Sequence, residues 1–296
     1  MKDKRNEILA RQLIDYSLEL RKGEVLYLEI KGKETLELGK QIIRLATKKG
    51  VVPFWYYNDE SLIRQWVGSA TDDQHKIQAE LHLKLMERAD AYIGLRGSDN
   101  PFDLADIPQK QIDQYNALFY KPVHLEERVK RTRWVVLRYP NNAMAQLAQT
   151  SQESFEDFYF DVCCADYAKM SKAQDKLHAL MESTDKVRIV SPGTDLNFAI
   201  KGIKSKKCDG HRNIPDGEVY TAPVRDSVNG MITFNAPSLY QGVVYNRISL
   251  TFEKGKIIKA TCEGDNAKLN QILDIDEGAR YVGEFAIGVN PFIRAA

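Results

Sequence analysis

The sequence predicts an α/β fold in two parts: an N-terminal parallel-sheet α/β domain over residues 1–182 and a β-rich α+β domain over 183–296. Three observations predict it. Strand and helix signals alternate through the first half. After Ser183 they give way to short apolar runs separated by turn residues. The length, 296 residues, exceeds what one hydrophobic core usually organises.

The elements follow in order. Residues 4–21 carry Leu9, Leu13, Tyr16 and Leu20 at helical spacing, and Gly23 ends that helix before the strand "EVLYLEI". Residues 34–49 place Leu38, Ile42 and Ala46 on one helical face, closed by Gly50. "VVPFWYY" reads as a strand that Pro53, lacking an N–H, confines to an edge or bulge. Thr71 can cap a helix to about Arg88. "AYIGLRG" is a third strand, and "WVVLRYP" a fourth after a helical stretch to about Arg131. Residues 150–182 read as one long helix, with Thr150 and Glu153 as its capping box. Beyond it, "KVRIVSPGTDLNFAIKG" is a hairpin around Pro192-Gly193, and "GMITFN", "VVYNRISLTFEKGKIIKATC" and "ARYVGEFAIG" continue the β pattern. Lys254-Gly255 is a tight turn, and a helix spans about 265–273.

Composition narrows the function classes. Lys+Arg (42) almost balances Asp+Glu (41), so no global charge favours nucleic acid or an anionic membrane. No apolar run approaches a bilayer span, and the charged N-terminus does not read as a secretory signal. Cys163, Cys164, Cys208 and Cys262 form no C-x-x-C pair, and reduced thiols in a cytoplasmic protein are expected. The first half has neither G-x-G-x-x-G nor G-x-x-x-x-G-K-[ST], so little supports a nucleotide ligand there. There is no G-x-S-x-G elbow and no H-E-x-x-H.

Two carboxylates of the second half stand out. In "NIPDGEVYTAP" Glu218 follows a Pro-Asp-Gly turn and opens a strand. Glu284 sits among Val282, Phe285 and Ile287, where burial is costly unless the acid is paired or bound to a cation. Two such acids on strands of one domain could converge on metal ions. Alternatively, Glu284 faces solvent or pairs with Arg280 or Arg247.

The blocks "NIPDGEVYTAP", "DSVNGMITFNAPSLYQGVVYNRISLTFEKGKI" and "DEGARYVGEFAIGVNP" resemble the thermophilic-type metallo-aminopeptidase family, the group of aminopeptidase T, aminopeptidase S and PepS. The hairpin "SPGTDLNFAIKG", "YSLELRKGEVLYLEI" near the start and "RWVVLRYPNNAMAQLAQTSQESFEDFYFDVCCADYAKM" fit the same pattern, so the resemblance runs along the whole chain. It implies a two-domain, homodimeric exopeptidase acting on peptides through two divalent cations, zinc or cobalt, with magnesium or manganese as further options. Carried over, Glu218 matches a metal ligand. Glu284 matches a second ligand, shared by both ions and catalytic, and Asp216 is a turn former. The family's remaining ligands, two histidines and an aspartate, with a nearby tyrosine, lie downstream of "GEFAIG", whereas this sequence reads only on to "GVNPFIRAA". The expectation is therefore a truncated copy or a relative that has lost the site. Its alternative role is a non-catalytic peptide-binding or dimerising module. His211 and Asp209 are the reserve ligand candidates.

Overall fold

The computed structural model of the chain describes residues 3–100, 102–240 and 243–293. In chain order, α1 (Arg5–Arg11) runs on as π-helical Gln12–Ser17, and β1 (Val25–Lys31) follows. Then come α2 (Leu36–Lys48), β2 (Val52–Asn58), α3 (Glu60–Ser69), α4 (Asp72–Arg88) and β3 (Ala91–Arg96). α5 (Gln109–Tyr115) continues as π-helical Asn116–Arg128 into α6 (Val129–Arg131), β4 (Arg133–Arg138), α7 (Asn142–Leu147), α8 (Gln152–Cys163) and α9 (Tyr167–Ser183).

The rest is β5 (Lys186–Ser191), β6 (Thr194–Ala199), β7 (Lys206–Cys208), β8 (Asn213–Ile214), β9 (Glu218–Thr221), β10 (Asn229–Thr233), β11 (Ser238–Tyr240), β12 (Val243–Glu253), β13 (Lys256–Glu263), α10 (Asn266–Leu273) and β14 (Phe285–Gly288). The chain forms two compact units: Met1–Ala168 with Asp209–Asp216, and Lys169–Cys208 with Gly217–Ala296.

The first unit is a five-stranded sheet in the order β2-β1-β3-β4-β8, every pairing parallel. β2 is the edge strand that Pro53 required. Leu26, Leu28 and Ile30 of β1 are buried on one face, where Gly39 lets α2 approach; a Cβ there would lie 2.8 Å from Ile30 Cδ1. α2 buries Leu38, Ile42 and Ala46, the face read from their spacing. Thr71 and Gln74 close a reciprocal capping box at the start of α4.

The second unit contains a six-stranded antiparallel sheet built on β11-β12-β10-β6-β5, with β13 against β12, and a three-stranded sheet β14-β9-β7. Its core gathers Leu196, Phe198, Val228, Tyr245, Phe252 and Leu269. Lys254 and Gly255 both take positive φ (47° and 85°), the two-residue turn that matches the right-handed strand twist. A Cβ on Gly255 would lie 1.9 Å from Arg225 O. Gly255→Ala is therefore expected to lower the urea midpoint. Backbone strain alone costs roughly 1–3 kcal/mol, and the clash adds to it.

The single helix expected over 150–182 is two. α8 ends at Cys163, α9 begins at Tyr167, and Ser151 rather than Thr150 caps α8, its Oγ accepting from Ser154 N. The break buries both Cys163 and Tyr167, and the Tyr167 hydroxyl donates to Val162 O while accepting from Asp216 N. Tertiary packing of one aromatic overrides a continuous helical pattern.

Candidate metal centre

The three-stranded sheet of the second unit carries Glu218, and Glu284 immediately precedes its strand β14. Glu218 is the first residue of β9, directly after Gly217, whose φ of +125° permits the sharp entry. A side chain at Gly217 would press within 2.8 Å of Met170 Sδ and Asn290 Cβ. Val289 N donates to Gly217 O, extending the β9–β14 pairing by one rung. On the other side of β9, Cys208 of β7 is paired with Glu218.

Register fixes which side chains share a face. β14 runs antiparallel to β9 with Gly288 opposite Glu218, Ala286 opposite Tyr220 and Phe285 opposite Thr221. Directly opposed residues project to the same side. Glu284 lies one residue before Phe285, just outside β14. Glu218 and Tyr220 share one face of the sheet with Cys208 and Lys206. Val219 and Thr221 are buried on the other face, where Lys207 reaches the Ser171 hydroxyl and Asp175 of α9. Glu218 stands at one end of the three-step β9–β14 ladder and Glu284 just beyond the other, so at about 3.3 Å per residue their backbones are at least roughly 10 Å apart, and their carboxylates meet one centre only by leaning toward each other.

Neither carboxylate makes an ion pair or side-chain hydrogen bond with any described residue. Glu218 is half-buried and Glu284 exposed. The pairings considered for Glu284 are taken: Arg280 binds Asp274 at 2.5 Å and Arg247 binds Glu263 at 3.3 Å. The backbone beneath Glu218 is held by Gln174 of α9, only 1% exposed, whose Nε2 donates to Cys208 O (2.9 Å) and Glu218 O (3.2 Å). Gln174→Leu would leave both carbonyls without that donor and is expected to cost roughly 1–3 kcal/mol in denaturant unfolding.

The reserve candidates have structural work in the first unit. Asp216 Oδ2 accepts from Gly210 N at 2.8 Å, which fits a turn former. His211 Nδ1 bonds Asp209 Oδ1 at 2.7 Å, and this carboxylate raises the imidazole pKa; the His211 ring packs on Tyr16. Among the described residues no three His, Cys, Asp or Glu side chains gather closely enough to hold an ion. Met1, Lys2, Pro101, Gln241, Gly242, Arg294, Ala295 and Ala296, outside that description, include none of these types. The residues present do not fit a complete metal centre. They supply two carboxylates, Glu218 on β9 and Glu284 just before β14, that make no ion pair with a described residue.

Sequence reasoning missed a polar layer in the first unit. Opposite the apolar face of β1, Tyr27, Glu29 and Lys31 point the other way, in register with Tyr92, Gly94 and Arg96 of β3. Helix α4 and the π-helical segment cover this face with His82, Phe119 and His124. A cavity of about 240 Å³ lies there, lined by Glu29, Tyr56, Trp66, His82, Tyr115 and His124 among others. Tyr92 donates its hydroxyl to Glu29, and Tyr27 bonds His82 Nδ1 at 2.9 Å. His124 Nδ1 is buried without a hydrogen-bond partner among the described residues. Period-two reading of "EVLYLEIK" could have exposed Glu29 and Lys31 as charges on a strand covered on both faces.

The profile of the thermophilic metalloprotease (M29) family matches residues 2–294. The chain belongs to that family. Aminopeptidase T of Thermus thermophilus is 26% identical over 96% of this chain and 77% of its own length. The aminopeptidase AmpS of Bacillus subtilis is 34% identical, and aminopeptidase 2 of Geobacillus stearothermophilus 40% identical, over shorter stretches. Those stretches cover 32% and 25% of this chain, and span only 25% and 18% of the two relatives' lengths. The solved structure of wild-type AmpT from Thermus thermophilus superposes with a TM-score of 0.81 at 23% identity, covering 96% of this chain and 78% of that one, and shows that the fold is shared. M29 membership makes metal-dependent peptide hydrolysis the family chemistry against which the two carboxylates are read.

Proposed function

We propose that this protein is a metal-dependent aminopeptidase, releasing N-terminal residues from peptides, in which Glu218 and Glu284 are carboxylate ligands and Glu284 is the shared, catalytic one. The observation that carries the reading is the pair itself. Two acids from separate motifs, neither neutralised by a described residue, sit at the two paired strands β9 and β14, Glu218 as the first residue of β9 and Glu284 just before β14. Neither acid has a cationic partner among the described residues, and a bound cation would supply one. The reading includes two divalent ions, zinc or cobalt before magnesium or manganese, which would activate a water for attack on the peptide. The described residues do not complete the coordination of either ion. A homodimer is part of the proposal. So is a cytoplasmic setting, supported by four cysteines outside any disulfide.

The second reading, a peptide-binding or dimerising relative without catalysis, is favoured by the absence of a third donor in the cluster. Hydrolysis of leucine anilide with added zinc or cobalt separates them. The 296-residue chain is expected to turn over poorly, because two ligands hold a cation weakly. A chimera adding the downstream histidine and aspartate blocks of the family is expected to be active. An inactive chimera that still binds metal at full occupancy would overturn the enzymatic reading.

A further inference from the structure

At the carboxyl ends of the first unit's parallel strands, the last residues of β1, β3 and β4 are Lys31, Arg96 and Arg138. They are in register, Lys31 opposite Arg96 and Arg96 opposite Arg138. Three cations therefore project from one face of three neighbouring strands. Parallel sheets collect ligands at this end, above all where adjacent strands are not consecutive in the chain and their outgoing connections diverge. The order β2-β1-β3-β4 puts that point between β1 and β3, at Lys31 and Arg96.

The crevice is built and open. A cavity of about 280 Å³ is lined by Lys31, Arg96 and Arg138 with Ser98, Asn141 and Glu60 among others. Backbone bonds hold the strand ends together past the sheet: Gly32 N to Asn58 O at 3.0 Å, Gly97 N to Lys31 O at 2.8 Å, and Tyr139 N to Arg96 O at 2.7 Å. Gly32 and Gly97 nearly touch, a Cβ on Gly32 falling 2.4 Å from Gly97 O. Asn141 Nδ2 donates to Ser98 O at 2.6 Å, tying the loop after β4 to the loop after β3.

Charge in the crevice is not balanced. Lys31 faces Glu60 at 3.5 Å. Tyr92, Tyr120 and Glu29 lie near enough to favour the Arg96 charge, but no described carboxylate lies within ion-pair distance. Arg138 is exposed and has no ion pair or side-chain hydrogen bond among the described residues. Asp103 is the other acid in the lining, and its carboxylate accepts from Asn100. Guanidinium forks present paired donors that match carboxylate and phosphate oxygens.

We propose that this crevice binds a small oxyanion ligand, a carboxylate or a phosphate, between Arg96 and Arg138 with Lys31 at its inner end. The site lies wholly within the first unit and is independent of Glu218 and Glu284.

Calorimetric titration of the 296-residue protein at low salt, with inorganic phosphate in one arm and succinate in another, tests it. Saturable binding of at least one anion is expected, with phosphate alone, succinate alone or both naming the oxyanion. Binding should weaken tenfold or more in Arg138→Gln, whose exposed side chain leaves the fold intact. Arg96→Lys should retain more affinity than Arg96→Met. Lys259→Gln, exposed and on the second unit, should change nothing, and added sodium chloride should weaken binding. Heats indistinguishable from dilution in both arms, or Arg138→Gln binding as tightly as the parent, would overturn the proposal.

Discussion

Glu284→Gln is expected to abolish leucine-anilide turnover in the active chimera, by on the order of 10³-fold. Several kcal/mol of charge stabilisation rest on a shared carboxylate ligand, and each 1.36 kcal/mol is a factor of ten in rate. Gln keeps the shape and removes the charge. Because Glu284 is exposed and makes no hydrogen bond among the described residues, the substitution should leave the unfolding midpoint unchanged, which separates loss of chemistry from loss of fold. Glu218→Gln should act mainly on cation affinity, so that excess metal restores part of its rate. Full activity of Glu284→Gln at ordinary metal concentration would remove Glu284 from the site.

Acidification from pH 6.5 to 4 is expected to lower folding stability by about 3 kcal/mol through His124. Burial among Tyr92, Phe119 and Tyr120 pushes this imidazole down to about 4 from its usual 6.5. Between those values the unfolded chain binds a proton that the folded one refuses, so stability rises with pH across that window and is lost as pH falls through it. Burial also lowers the His82 pKa, which adds in the same sense. Burial pushes the Glu29 carboxyl up, but His124, Lys31, the Tyr92 hydroxyl and Arg96 together hold it below the usual range. Its contribution is present above its unfolded value and is likewise lost in acid. Urea unfolding at pH 7 and pH 4.5 measures the slope. His124→Phe should flatten it, since Nδ1 forms no hydrogen bond among the described residues. An unchanged slope in His124→Phe would assign the acid sensitivity elsewhere.

The sequence made the two-part architecture readable because alternation of periods is a local signal. "EVLYLEI", "AYIGLRG" and "WVVLRYP" each became a strand of the parallel sheet, and Pro53 marked the edge through its missing N–H. The break between α8 and α9 was not readable, since nothing in the local spacing opposes a continuous helix; a buried Tyr167 decides it. Nor was β8 readable: two residues, Asn213 and Ile214, join the first unit's sheet beside β4 from far along the chain. Such a strand has no periodicity to detect. For the candidate site, Glu218 and Glu284 are visible as acids beside apolar runs, but the pairing of β9 with β14 that brings their motifs together is a property of register, which one strand cannot reveal. The row Lys31, Arg96 and Arg138 was hidden for the same reason. Each is an ordinary strand-terminal base until three strands align.

Cobalt(II) titration, followed by absorption and calorimetry, tests most directly whether Glu218 and Glu284 form one cation site. The 296-residue chain should bind cobalt saturably but weakly, and Glu218→Gln, Glu284→Gln and their combination should each remove that binding while the fold persists. Tight stoichiometric cobalt binding that survives the double substitution would contradict the account and place the metal on other residues.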